Sequence, residues 1–109
     1  MAGERRRHER VQALFDVEWE RAAGRYEART SDLSEGGCFI DTIVAAAVGQ
    51  ELTFRLRLPA GGWLELRSVV TYHFPNTGFG VRFNVLTDED RKRLGWLVKA
   101  EGRKAGKRL

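Results

Sequence analysis

The stretch ELTFRLRLPAGGWLELRSVV, residues 51–70, decides the fold. Leu52, Phe54, Leu56 and Leu58 alternate with Thr53, Arg55 and Arg57, a period of two that gives a strand one apolar face. Pro59-Ala60-Gly61-Gly62 supplies a hairpin turn. Trp63 to about Phe74 then returns as a second strand, with Leu64, Leu66 and Val70 turned inward. Because Phe54 alternates with the arginines, its ring is expected in a core and the guanidiniums outside it.

The same period extends in both directions. Toward the N-terminus, Val11, Ala13, Phe15, Val17 and Trp19 face one way and Gln12, Asp16, Glu18 and Glu20 the other, with Leu14 the exception. Ala22-Ala23-Gly24 offers a turn, and Arg25 to about Thr30 can run back as a strand. Ser31 to Gly37 reads as a polar loop, and Cys38 to Asp41 as a short strand. Residues 43–49 are compatible with a helical turn or an apolar loop. Toward the C-terminus, Pro75 to Gly78 turns the chain, and Phe79, Val81, Phe83 and Val85 form one face of a last strand. The period then changes. Thr87 is a good N-cap, Asp88, Glu89 and Asp90 suit the first helical turn, and Leu94, Leu97 and Val98 share one face.

Six short strands followed by a helix predict a mainly β protein, a six-stranded antiparallel β-barrel with a C-terminal α-helix; closure removes exposed sheet edges. The expected organisation is an arginine-rich arm over 1–10, read as flexible, a barrel over 11–86, a helix over 87–101 and a frayed basic tail over 102–109.

Composition narrows the function. At 109 residues, 42% hydrophobic and 31% charged, the chain fits one domain with one core. No stretch approaches the roughly 20 apolar residues that span a bilayer, and the N-terminus lacks the apolar run of a signal peptide. A single cysteine, Cys38, rules out an internal disulfide. A cytoplasmic protein without a membrane span is expected. His8 and His73 have no second ligand at metal-binding spacing, so no metal and no cofactor are expected. No nucleophile elbow surrounds Ser34, and Gly78-x-Gly80 leads into a strand where a dinucleotide fingerprint needs a helix. The protein is therefore expected not to be an enzyme.

Charge points to an anionic ligand. The net charge is +4, four arginines fall within Arg5 to Arg10, and Arg103, Lys104, Lys107 and Arg108 make the tail basic. Guanidinium forks fit phosphate oxygens and the O6/N7 edge of guanine, and they stack on base planes. Arg6-x-x-x-Arg10, with Arg5 alongside, stands just before the first strand. Asp32-x-Ser34-x-x-Gly37 follows the second: the carboxylate can accept from a guanine edge, the hydroxyl can donate, and Gly36 and Gly37 permit close backbone approach. An exposed charged terminus and an ordinary polar loop would explain either element alone.

Together, Arg-Arg-x-x-x-Arg before strand one and Asp-x-Ser-x-x-Gly after strand two resemble the paired signature of the PilZ domain family. Gly78-Phe79-Gly80-Val81-Arg82-Phe83 is similar to that family's closing strand, and a helix follows here as there. The resemblance covers about residues 5–100 and implies a receptor for cyclic di-GMP, a bacterial second messenger with two guanines and two phosphates. Carried over by position, Arg6 and Arg10 would hold guanine and phosphate, Arg5 would assist a second nucleotide or phosphate, Asp32 and Ser34 would bind a guanine edge, and Gly37 would shape the turn. The family often carries an aromatic residue near the end of the strand before the last; Tyr72 is near that position, and Thr71 competes for it. Such a receptor would signal by ordering its arginine arm over the barrel, through a downstream protein partner or a possible homodimer. The alternatives are a PilZ-like protein-interaction scaffold that does not bind nucleotide, and a nucleic-acid-binding barrel. Core-facing phenylalanines argue against the second, and no nucleic acid partner is expected.

Overall fold

The computed structural model describes residues 9–107. Seven strands and a helix follow in order: β1 (Val11–Gln12), β2 (Asp16–Arg21), β3 (Gly24–Leu33), β4 (Gly37–Asp41), β5 (Glu51–Arg57), β6 (Trp63–Phe74), β7 (Gly78–Phe83) and α1 (Asp88–Lys107). They form one sheet in the order β1-β3-β2-β5-β6-β7-β4, in which β3 also pairs with β4. That pairing closes β2 to β7 into the expected six-stranded antiparallel barrel, with β1 as an additional short strand on β3.

The decisive hairpin forms as read, with Phe54 opposite Leu66 and Leu56 opposite Leu64, all buried. Trp19 fills the barrel beside Phe79, its ring edge-on at 5.9 Å between centroids. Thr87 caps α1 by accepting from the Asp90 N–H at 3.0 Å, and Leu94, Leu97 and Val98 are buried beneath the helix. Among the described residues no helix is long and apolar enough to cross a membrane.

The departures are local and have visible causes. The first strand is interrupted: residues 13–15 oppose only residues 30 and 31, between the pairs Gln12–Asp32 and Asp16–Arg29. The surplus residue is Leu14, 69% exposed. Buried Thr30 pins this step, its Oγ1 donating to the Ala13 carbonyl at 2.6 Å and accepting from the Phe15 N–H at 3.0 Å. Ser31 and Asp32, expected in a loop, belong to β3, because β1 and β4 supply ladder partners for Asp32 on both sides. The loop shrinks to residues 34–36. Residues 43–49 contain no helix; the segment is irregular, and the Gly49 N–H at its end donates to the Val70 carbonyl of β6 at 2.8 Å.

Val85 does not continue the last strand. β7 ends at Phe83, the Asn84 N–H donates to the Arg67 carbonyl at 2.7 Å, and Val85 takes φ 42° with 84% exposure. The tryptophans differ too. A core place for at least one of Trp63 and Trp96 is expected, yet they are 40% and 60% exposed, and Trp19 holds the core instead. Finally, α1 runs to Lys107 where a helix end at 101 and a frayed tail are expected. Glu101 and Lys104 pair at 3.1 Å across that point, and Gly102 faces Val11 at the contact with β1.

Candidate functional site

Backbone register builds the site. Between β3 and β4, Thr30 opposes Ile40 and Asp32 opposes Phe39, so Ser31 is an extra residue. Between β6 and β7, Val70 opposes Val81 and Tyr72 opposes Gly80, so Thr71 is extra as well. Each bulge reverses the in-out phase of its strand. Without them Asp32 and Tyr72 would point where Thr30 and Val70 point, into the core. With them, the outer wall carries one continuous row: Asp32, Phe39, Gly80 and Tyr72.

Asp32 anchors one end of that row. Arg10 Nη2 donates to Asp32 Oδ1 at 2.9 Å and Arg10 Nε to Oδ2 at 3.4 Å, a two-pronged pair. Asp32 Oδ1 also accepts from the Phe39 N–H at 3.0 Å. The carboxylate thus fixes the last arginine of the N-terminal motif against the barrel, with both side chains about one-third exposed.

The Ser34–Gly37 turn lies beside this pair. Ser34 Oγ accepts from the Gly36 and Gly37 N–H groups, each at 3.1 Å, and donates to the Gly37 carbonyl at 3.2 Å. Ser34 is buried, and these bonds engage its hydroxyl inside the turn. The Gly36 carbonyl accepts from the Phe83 N–H at 2.9 Å, locking the turn to β7. A Cβ on Gly37 would stand 2.1 Å from the Val81 carbonyl oxygen, so only glycine permits this approach. Behind the turn, Cys38 is fully buried; burial, helped by Asp32, pushes its thiol well above the ordinary range, so no thiolate nucleophile is available there.

At the far end of the row, the Tyr72 ring lies over Gly80, where a Cβ would come within 2.4 Å of ring carbons. It stacks on Phe39 at 5.9 Å and 26°, and Phe74 extends the aromatic group at 5.4 Å from Tyr72. Thr71, the competitor for the aromatic position, is the bulge residue itself.

These features border one open cleft of about 580 Å³ between barrel and helix. It brings together Arg10, Ser34, Gly36, Gly37, Thr71 and Tyr72 from the sequence reading. Asp32 stands behind as the partner of Arg10. Arg5 and Arg6 lie outside the described residues. Arg82, Val85, Leu86 and Arg91 also line the cleft, and sequence reasoning assigned none of them a role. Arg82 was within reach of it, since strand alternation points it outward between Val81 and Phe83. Arg91, on the helix, had no local signal. Three guanidiniums face this space against one carboxylate, Glu35, and Tyr72 offers an aromatic surface at its rim. The arrangement suits an anion with planar rings. Among the described residues, no group of His, Cys, Asp and Glu is placed to hold a metal ion.

A family model described as the PilZ domain matches residues 4–100. Among solved structures, the chain is similar to the Bacillus subtilis inhibitor of motility, MotI/DgrA, at 18% identity and TM-score 0.78, covering 96% of this chain and 53% of that one. It is similar to YcgR from Escherichia coli in complex with c-di-GMP at 18% identity and TM-score 0.81, covering 95% and 49%. For the K. pneumonia MrkH–c-di-GMP complex the values are 18%, 0.80, 95% and 55%. The chain spans about half the length of these proteins, and at such identities the likeness is one of fold. A sequence comparison with curated proteins gives no match.

Proposed function

The chain belongs to the PilZ domain family, and from that premise we propose that it is a non-catalytic cyclic di-GMP receptor with its site on the outer wall of the barrel. The observation that carries this reading is the Arg10–Asp32 pair at 2.9 Å beside the Ser34–Gly37 turn. Two motifs 22 residues apart meet at one cleft, in an arrangement suited to a guanine edge and a phosphate.

The roles divide by chemistry. Arg10 presents a fork held in place by Asp32, and can turn its remaining donors to phosphate or to guanine O6 and N7. Asp32 accepts from a guanine N1–H and amino edge. Ser34, Gly36 and Gly37 act by shape: the serine holds the turn, and the glycines let ligand and β7 approach it. Tyr72 offers a stacking surface. Arg5 and Arg6 are assigned by the family pattern to the second nucleotide and to the guanine–phosphate contact. Ordering of the N-terminal arm over bound ligand would change the surface seen by a downstream partner or a second copy in the cytoplasm.

Calorimetric titration of cyclic di-GMP into the protein, with Arg10→Ala and Asp32→Ala in parallel, tests the reading. Removing either charged partner is expected to cost about 1.5–3 kcal/mol, roughly tenfold to over a hundredfold in Kd. Absence of saturable binding to the folded wild-type protein would overturn it.

A further inference from the structure

Three arginines line the cleft, and only Arg10 belongs to the signature. Arg82 stands on β7 directly opposite Gly37, on the outward phase of the strand. Arg91 reaches the same space from the first turn of α1. Both are exposed, and among the described residues neither has a carboxylate within ion-pair distance, whereas Arg10, Arg25, Arg55 and Arg93 each do. The cleft's own carboxylate, Glu35, lies against the helix: a Cβ on Gly95 would stand 3.3 Å from its Oε2. Positive charge gathered in a concave surface without matching negative charge raises the local potential for anions.

Resting on the cyclic di-GMP reading, we infer that Arg82 and Arg91 form a second anion subsite, which takes the phosphate not held by Arg10. A ligand with two phosphates then bridges the barrel and the helix. The helix is well placed to register this. Besides carrying Arg91, it meets the signature turn where Gly95 faces Glu35, and it meets β1 where a Cβ on Gly102 would stand 3.7 Å from Val11 Cγ1, on the residue after Arg10. One element therefore touches both the turn and the strand that flank the signature residues. Ligand that engages Arg91 ties α1 to the turn and to the first strand together.

The test is titration of cyclic di-GMP into the wild type, Arg82→Ala and Arg91→Ala, with hydrogen exchange of α1 followed with and without ligand. Both side chains are exposed, so the variants should keep the wild-type thermal midpoint. Each is expected to bind about tenfold to a hundredfold more weakly than the wild type. Amides of α1 should gain protection with ligand in the wild type and gain little in Arg91→Ala. Wild-type affinity in both variants would overturn the subsite while leaving the receptor reading intact. Weakened binding with no ligand-dependent protection of α1 in the wild type would overturn the bridge to the helix. Failure of the wild type to bind would remove the reading on which the inference rests.

Discussion

The two sides of the cleft come from different kinds of sequence. On one side, Arg10, Asp32, Ser34, Gly36 and Gly37 lie within 28 consecutive residues, and all five belong to the arm and turn that the sequence singles out. On the other, Thr71, Tyr72, Gly80, Arg82 and Arg91 come from β6, β7 and α1; the first three enter only through the family resemblance, and neither arginine carries a local pattern that marks a site. The first side is a motif; the second is a consequence of closing the barrel. A binding surface can thus be half legible before folding and half created by it.

Three substitutions bear on that contrast. The largest effect is expected at Gly37, where the two sides meet. In Gly37→Val a Cβ would fall 2.1 Å from the Val81 carbonyl, so β4 and β7 must part; a loss of about 3 kcal/mol or more is expected in urea unfolding, and ligand binding should vanish with it. Survival of wild-type stability would show that the two sides are less tightly joined than their register implies. Ser34→Ala tests the motif side alone. It removes the acceptor for two turn N–H groups in a buried setting and should cost about 1–2 kcal/mol by the same measurement. Thermal unfolding should register this as a lower midpoint. On the closure side, Val85 holds a left-handed φ of 42° that a β-branched residue rarely takes. Val85→Asn should raise stability by up to about 1 kcal/mol, and an unchanged midpoint would mean that the linker relaxes without cost.

The same contrast explains what the sequence made legible. Alternation at Val11–Trp19 and Leu52–Leu58 was enough for barrel strands, because inward residues must be apolar whatever their partners. Leu14 broke the pattern and marks the interruption between β1 and β2. Asp32 was placed in a loop because polar residues cluster from Ser31 onward, and pairing across two neighbours is invisible in one segment. Val85 fitted the period of the last strand, but the ladder's last bond is from Asn84 to Arg67, and the left-handed φ of 42° at Val85 turns the chain away. Trp63 and Trp96 are open in the sequence to core or interface places, with core expected for at least one; the first lies under the Arg57 guanidinium at 5.5 Å and the second stands on the solvent side of α1. Arg10 and Asp32 are each assigned to the ligand, and nothing in the motifs foreshadows their pairing with one another. Nor is it foreshadowed that Ser34 would hold the turn, since a hydroxyl drawn as a ligand donor looks the same in sequence as one that caps its own loop.

The paired bulges at Ser31 and Thr71 make the site depend on counting as well as on chemistry. Each inserts a single residue, and each thereby decides which of two neighbours faces water. If either strand kept its sequence but paired with strict alternation, every motif letter would survive and wall would still exchange with interior: Asp32 would turn inward like Thr30, or Tyr72 inward like Val70. A strand with the same letters and no bulge would have the right alphabet written on the wrong side of the page.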